Sequence, residues 1–278
     1  IAGQALDNAG FKNVTIVPEQ EQPDGDFPTV TLPNPEDPAA LAMGIALAKK
    51  QGADVVIGVD PDADRMGTAV RLPSGEYQLL TGNQIGAILL HYLLTAKKAA
   101  GTLPANGVLV KSIVSSEFAA DIAKSFNIET INVLTGFKYI AEQIQNYEST
   151  HEHTFLFGFE ESYGYLVKSF ARDKDSVQAT VLLAEVAAYY KSLGKTLYDG
   201  LQDLFAEYGY FVENTQSLTF KGIDGAEKLA ALMAKFRAEQ PTSFGNIAVT
   251  KFADFTLQTV TDVQTGVETT MSLPKANV

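Results

Sequence analysis

Through the middle of this chain of 278 residues, short apolar, β-branched runs alternate with helix-length stretches. Val108–Val114, Glu129–Val133 and Thr154–Phe159 read as strands; Glu117–Ser125, Phe137–Asn146 and Ser176–Ser192 read as helices. Such alternation needs crossover connections, which are right-handed and generate a parallel sheet. An earlier stretch has the same character. Ala39–Gln51 reads as a helix stopped by Gly52, at a position suited to a left-handed C-cap. The apolar run Asp54–Val59 follows and reads as a buried parallel strand. Met66–Leu80 contains a hairpin around Pro73–Gly75, Asn83–Lys98 a helix, and Gly101–Gly107 a Pro/Gly joint. The expected fold class is α/β: two successive mixed α/β domains with mostly parallel sheets, residues 1–80 and 81–205, then an incomplete α+β domain over 206–278.

The two ends are less regular. Residues 1–17 read as a helix ending near Gly10 and a strand around Val14–Val17. The chain thus opens inside a helix, whereas α/β helices normally follow a strand. Residues 18–38 form a loop rich in Pro, Asp and Glu. Beyond it, Phe211–Phe220 alternates like an exposed strand, Gly225–Ala238 reads as a helix, and Ile247–Val263 is strand-like with turns. Leu273–Val278 stops abruptly, so the expectation is a chain cut at both ends.

Composition narrows the function classes. With 46% hydrophobic residues the chain can bury a sizeable core, yet no run approaches the roughly 20 apolar residues of a bilayer span. Cysteine is absent, which excludes disulfides, thiolate metal sites and a cysteine nucleophile. No basic segment leads into an apolar one as in a signal peptide. These features suit a cytoplasmic protein. The net charge of -12 repels nucleic acid and anionic membranes unless basic residues cluster, and no run of Lys or Arg exceeds two.

The sharpest chemical signal is Asp60-Pro61-Asp62-Ala63-Asp64-Arg65. Three carboxylates at alternate positions after a strand can converge on one hard cation, and Mg²⁺ takes a few carboxylate oxygens beside water or phosphate oxygens. A solvated acidic turn is the plain alternative. An EF-hand is excluded, because the positions that need Gly and a bidentate acid hold Arg65 and Arg71. A haloacid-dehalogenase-type phosphatase with Asp60 as nucleophile is the rival enzyme, although such chains continue with Gly-Thr where this one has Ala63-Asp64.

Gly158-Phe159-Glu160-Glu161-Ser162-Tyr163-Gly164-Tyr165 brackets two carboxylates, a hydroxyl and an aromatic ring between glycines. Such a loop suits a sugar, because carboxylates accept from hydroxyls and glycines permit close backbone approach; an ordinary strand connection is the alternative. Thr135-Gly136-Phe137-Lys138 opens a helix and could hold an anion there or serve as a plain N-cap. Arg172-Asp173-Lys174-Asp175 precedes the helix from Ser176, and its cations are phosphate ligands or surface charges. Gly194-Lys195-Thr196 mimics the end of a P-loop, but Tyr189 stands where the first glycine is required. His151 and His153 lie in a polar stretch and read as surface residues.

In order, Pro33–Glu36, Gly58–Arg65, Lys111–Ser116, Thr135–Lys138, Gly158–Tyr165 and Arg172–Asp175 resemble the motifs of the α-D-phosphohexomutase family, of the phosphoglucomutase/phosphomannomutase type. The Glu-Glu-Ser-Tyr-Gly form is more similar to the glucomutase branch, including some pentose-preferring relatives, than to the glucosamine or mannose branches. The resemblance implies a four-domain, Mg²⁺-dependent intramolecular phosphotransferase. Such an enzyme moves phosphate between C1 and C6 of a hexose phosphate through a bisphosphate, with glucose 1,6-bisphosphate as activator. By the same resemblance Asp60, Asp62 and Asp64 ligate the metal and Arg65 faces the transferring phosphate. Glu160 and Ser162 hold sugar hydroxyls. Thr135, Gly136, Lys138, Arg172 and Lys174 bind the sugar phosphate. The family's phosphoserine loop, of Ser-His-Asn-Pro type, and its Arg-Pro-Ser-Gly-Thr-Glu phosphate loop do not occur in these residues. The implied content is most of the second domain, the third, and the start of the fourth. The implied partners are a hexose phosphate and the absent domains, and the chain alone is expected to be inactive.

Overall fold

A computed structural model describes residues 1–213, 220, 222–271, 273 and 276. They form two units, residues 1–212 and 213–278.

In the first unit, α1 (Ala2–Asn8) leads into irregular chain, and α2 spans Pro38–Gln51. Asp37 caps α2 by accepting from the N–H of Ala39, Pro38 presets its first turn, and Gly52 closes it with a φ of 68°, the left-handed conformation expected there. Strands β1 (Val55–Val59), β2 (Met66–Arg71) and β3 (Tyr77–Leu79) form a three-stranded sheet in the order β1-β2-β3. All its pairings are antiparallel, with Val59 opposite Met66 and Val55 opposite Val70. This corrects the reading of Asp54–Val59 as a parallel strand. A parallel partner needs a crossover of a dozen or more residues, and the turn Asp60–Arg65 is too short for one. A five-residue apolar run carries no information about the direction of its neighbour. Val14–Val17 is not a strand: no described segment offers it a ladder, and Val14 and Ile16 are exposed.

The capping box of Thr81 and Gln84 starts α3 (Gly82–Ala99). Strand–helix alternation follows: β4 (Gly107–Ser112), α4 (Phe118–Ser125), β5 (Glu129–Val133), α5 (Phe137–Thr150) and β6 (Thr154–Glu160). The short β7 (Gly164–Leu166) turns back on β6, giving the order β5-β4-β6-β7. The β4–β5 and β4–β6 pairings are parallel, as the alternation requires, and β6–β7 is antiparallel. Helix α6 (Ser176–Ser192) starts where the Asp175 carboxylate accepts from the N–H groups of Val177 and Gln178. Helix α7 (Leu197–Tyr208) starts at a second capping box, Thr196 with Asp199. The P-loop look-alike is therefore the entry to a helix.

One apolar cluster joins Met66 and Val70 of β2 to α3, α4, β6, α6 and α7, with Ile85, Phe118, Phe157, Leu183 and Leu201 among its members. Burying large side chains such as these stabilises by about 1.5–3 kcal/mol each. A second cluster under β4, β5 and α5 includes Val110, Phe137 and Ile140. Gly86 is needed for α3 to approach β6, since a Cβ there would lie 2.7 Å from the Phe159 ring.

In the second unit, α8 (Gly222–Glu239) is followed by the hairpin β8 (Ser243–Phe244) and β9 (Ile247–Ala248). A meander of β10 (Lys251–Asp254), β11 (Thr259–Asp262) and β12 (Glu268–Thr270) completes it. Arg237 on α8 pairs with the buried Asp254 at 3.1 Å. Residues 214–219 of the strand expected over Phe211–Phe220, and most of the segment from 272 onward, lie outside the described residues. Among the described residues no helix is long and apolar enough to cross a membrane.

Candidate active site

The loop after β6 meets the turn between β1 and β2 at the C-terminal end of the parallel strands, the side on which open α/β folds bind ligands. The turn and the loop after β6 are bonded directly. The Met66 N–H donates to the Tyr163 carbonyl at 3.0 Å, and Arg65 bridges to Gly164. The start of α6 joins them, its Ser176 N–H and hydroxyl both donating to the Ala63 carbonyl, at 3.1 and 2.7 Å. Segments about 100 residues apart in sequence thus form one site.

Within the turn, Asp60 Oδ1 accepts from the N–H groups of Asp64 and Arg65 at 3.0 and 2.9 Å. Ala63 takes a φ of 59°, which closes the turn. One carboxylate oxygen from each of Asp60, Asp62 and Asp64 lies within 4.8 Å of the others. Burial, opposed by the Arg65 N–H but aided by the neighbouring Asp64 and Asp62, pushes Asp60 up to about 6. Burial pushes Asp64 up, but Lys174, Asp60 and Arg65 together outweigh it and hold the carboxyl below the ordinary carboxylate range. Asp64 Oδ1 is buried with no hydrogen-bond partner, and Asp64 Oδ2 pairs with Lys174 Nζ at 2.8 Å. Crowded carboxylates, one with an orphaned buried oxygen, match the few hard oxygen donors that a small divalent cation takes. The residues present fit Mg²⁺.

Lys174 comes from the segment before α6. Burial works against its ammonium, but Asp64 and Asp173 outweigh it and raise its pKa above the usual lysine value. Its stem crosses Gly164, where a Cβ would lie 2.2 Å from Lys174 Cδ, and its Nζ sits 5.5 Å from the centre of the Phe137 ring. Arg65 Nη1 pairs with Glu36 Oε1 at 2.8 Å. Glu36 closes the Pro33–Glu36 motif, to which no role was assigned from sequence. Gly67 lets that motif lie against β2, since a Cβ there would be 2.6 Å from the Pro35 carbonyl oxygen.

Glu160 ends β6 with only 6% of its surface exposed, and its Oε1 accepts from the Gly136 N–H at 2.7 Å. Burial raises its pKa, opposed by the Gly136 bond and by Lys174 nearby. Gly136 adopts a φ of 121° as the N-cap of α5, a conformation open to glycine. Ser162 is half-buried in the turn between β6 and β7. Thr135 and Lys138 are exposed at the start of α5, with Lys138 Nζ 4.9 Å from the centre of the Tyr139 ring. The structure therefore gathers Asp60, Asp62, Asp64, Arg65, Gly136, Glu160 and Lys174. Arg172 instead bonds to Glu148 on α5 and to the Ser169 carbonyl. His151 caps α5, and the His153 ring packs edge-on against Tyr147.

Residues 1–73 match the family model "Phosphoglucomutase/phosphomannomutase, alpha/beta/alpha domain II", and residues 81–208 match the corresponding "domain III". The chain belongs to the phosphoglucomutase/phosphomannomutase family. This family is one of isomerases acting as phosphotransferases, which sets aside the phosphatase reading of Asp60. The whole chain is 41% identical to a phosphoglucomutase of Staphylococcus epidermidis and covers 50% of that protein. It is 36% identical to a phosphoglucomutase of Staphylococcus aureus, of which it covers 49%. The chain thus spans about half the length of the curated relatives it matches. A crystal structure of a phosphoglucomutase/phosphomannomutase family protein from Burkholderia thailandensis superposes with a TM-score of 0.58 at 18% identity. That match covers 82% of this chain and 42% of the other, and supports the fold.

Proposed function

We propose that this chain supplies the metal turn and the sugar loop of a Mg²⁺-dependent phosphoglucomutase. Such an enzyme moves phosphate reversibly between C1 and C6 of a hexose phosphate through a bisphosphate intermediate, with glucose 1,6-bisphosphate as activator. The observation that carries the reading is the junction of two segments. The three converging carboxylates of Asp60, Asp62 and Asp64 are bonded to the Gly158–Tyr165 loop through Met66, and to Lys174 through Asp64. A phosphate at the turn would lie beside a loop able to hold a sugar.

Phosphoryl transfer needs positioning and charge neutralisation more than covalent work by the protein. In this proposal Asp60, Asp62 and Asp64 hold Mg²⁺, which supplies charge stabilisation to the transferring group. Arg65, fixed by Glu36, presents its guanidinium toward the same phosphate. Glu160 and Ser162 accept from sugar hydroxyls, with Glu160 aimed by its bond to Gly136. Lys174, Thr135 and Gly136 hold the distal phosphate, and Lys138 adds positive charge at its edge, while Arg172 is engaged by Glu148. The donor phosphoserine belongs to residues outside this chain, so the 278 residues alone are inactive.

The test is a coupled assay of glucose 6-phosphate formed from glucose 1-phosphate, with catalytic glucose 1,6-bisphosphate, in the full-length protein and in this chain alone. Full-length turnover that is lost in Asp60→Asn, with none from the chain alone, is expected. Turnover by the chain alone that disappears in Asp60→Asn would overturn the assignment of the phosphoserine to other residues. A full-length protein inert toward every hexose and pentose phosphate would overturn the function itself.

A further inference from the structure

The two adjacent glutamates of the loop face different neighbours. Glu160 turns toward Gly136, with Lys174 nearby, as described above. Glu161 turns the other way, toward the connection between β4 and α4. Its Oε2 lies 3.0 Å from Ser112 Oγ and 3.4 Å from Ser115 Oγ, and the two hydroxyls lie 2.7 Å apart. Ser112 is fully buried and Ser115 is 4% exposed. Each hydroxyl has one proton to give. A relay in which Ser115 donates to Ser112 and Ser112 donates to the Glu161 carboxylate uses the two shortest contacts.

The connection that supplies these serines is itself pinned. Lys111, fully buried, donates from Nζ to the Ser115 carbonyl and to Glu117, both at 3.0 Å. The Ser116 N–H donates to Asn83 Oδ1 on α3 at 3.0 Å. A buried ammonium needs such partners, because unpaired it costs several kcal/mol. The Glu161 backbone also presses on α3, where a Cβ on Gly82 would lie 1.9 Å from its carbonyl oxygen. Two residues later Tyr163 adopts a φ of 67°, in the left-handed region that a tyrosine enters only under constraint.

We propose that Glu161 is a positioning residue: through Ser112 and Ser115 it sets the backbone of the Glu160–Ser162 turn, and it is not itself a ligand of the sugar. This rests on the reading of Gly158–Tyr165 as the sugar loop. The carboxylate ends the serine relay, so its work is to hold one side of the loop while Glu160 and Ser162 present the other side to substrate. The Glu161 Oε2 atom already accepts from buried hydroxyls, which aims the carboxylate at the β4–α4 connection, and a hydrogen bond to a charged group is among the stronger tethers available.

The test compares Glu161→Met, Ser112→Ala, their combination and Glu161→Gln in the full-length protein. It measures kcat/KM per folded molecule and hydrogen exchange of the amides of residues 160–165. Glu161→Met and Ser112→Ala should each lower kcat/KM by roughly tenfold or more. The double variant should be no worse than the poorer single, because both remove one tether. Glu161→Gln keeps an acceptor for the Ser112 proton and should recover most of the activity. Loop amides should exchange faster in the two tether variants and not in Glu161→Gln. Losses that multiply in the double variant would show Glu161 acting on substrate independently of Ser112 and overturn the proposal. So would unchanged turnover and exchange in Glu161→Met, or an inactive Glu161→Gln whose loop amides remain protected. If the wild-type protein turns over no sugar phosphate, the reading of the site fails, and the exchange measurement alone then judges the tether.

Discussion

Gly82 is the first residue of α3, and replacing it with alanine sets two effects of opposite sign against each other. By helix propensity alone, Ala is favoured over Gly by up to about 1 kcal/mol. Against this, the added Cβ would stand 1.9 Å from the Glu161 carbonyl oxygen, 2.8 Å from its carbon and 3.0 Å from the Tyr163 nitrogen. These are backbone atoms and cannot rotate aside. The start of α3 and the loop would have to part by about 1 Å, since heavy atoms this close are overpacked. Tyr165, whose hydroxyl donates to the Gly82 carbonyl at 3.0 Å, and Tyr163, which donates to the Leu80 carbonyl at 3.2 Å, resist that separation. Overpacking of this kind costs about 1–3 kcal/mol, so a net loss of up to about 2 kcal/mol survives a helical gain of about 1 kcal/mol. For a unit of this size each kcal/mol moves Tm by about 2–4 °C, which predicts a fall of up to roughly 8 °C for Gly82→Ala. A loop displaced by about 1 Å should also cost the full-length enzyme on the order of 100-fold in turnover. Thermal unfolding followed by circular dichroism, with steady-state kinetics alongside, measures both. A Tm that rises would refute the reasoning, because propensity would then have outweighed a contact that was never tight.

The acidic turn makes a metal prediction: calorimetric titration with Mg²⁺ or Mn²⁺ should show weaker uptake by Asp62→Asn than by the unaltered chain, and equal uptake would defeat the assignment. Lys174→Met removes the ammonium that competes for Asp64 Oδ2, so it should tighten metal binding in the same titration while harming full-length turnover. Weaker binding would mean that Lys174 supports the metal instead of opposing it. Glu160 has its pKa raised by burial, so its protonated form suits the fold; that stability is fully present below the unfolded value of about 4.5 and is lost as pH rises through the folded value. Glu160→Gln, which keeps an acceptor for Gly136, should therefore be the more stable protein at neutral pH by urea unfolding, with the gap closing toward pH 4. A gap independent of pH would show that ionisation of Glu160 is not the cause. In the full-length enzyme the same change should lower turnover by roughly tenfold or more, the scale of a lost hydrogen bond to a charged group.

Sequence alone determined what depends on neighbours in the chain. Gly52 as a C-cap, the helix from Ser176 and the parallel order around β4 were legible, because caps and hydrophobic period are local signals. Helix α7 was not among the elements expected from sequence, although Thr196 and Asp199 offer a capping box and Leu197, Leu201, Leu204 and Phe205 recur at helical spacing. The acidic turn and the Glu-Glu-Ser-Tyr-Gly loop stood out as chemistry on the same local grounds.

Tertiary structure decided the rest. A short apolar run fits either ladder, so only the partner and the brief Asp60–Arg65 turn made β1 antiparallel. Lys174 and Arg172 are both cations before α6, and nothing in their spacing says that one reaches Asp64 while the other folds back on Glu148. Glu160 and Glu161 are chemically identical neighbours, and strand geometry sent one toward Gly136 and the other toward Ser112. Gly67 and Gly82 look like ordinary residues until Pro35 and Glu161 arrive from elsewhere in the chain. In each case the deciding atom is contributed by a segment distant in sequence, and local pattern carries no record of which segment that will be.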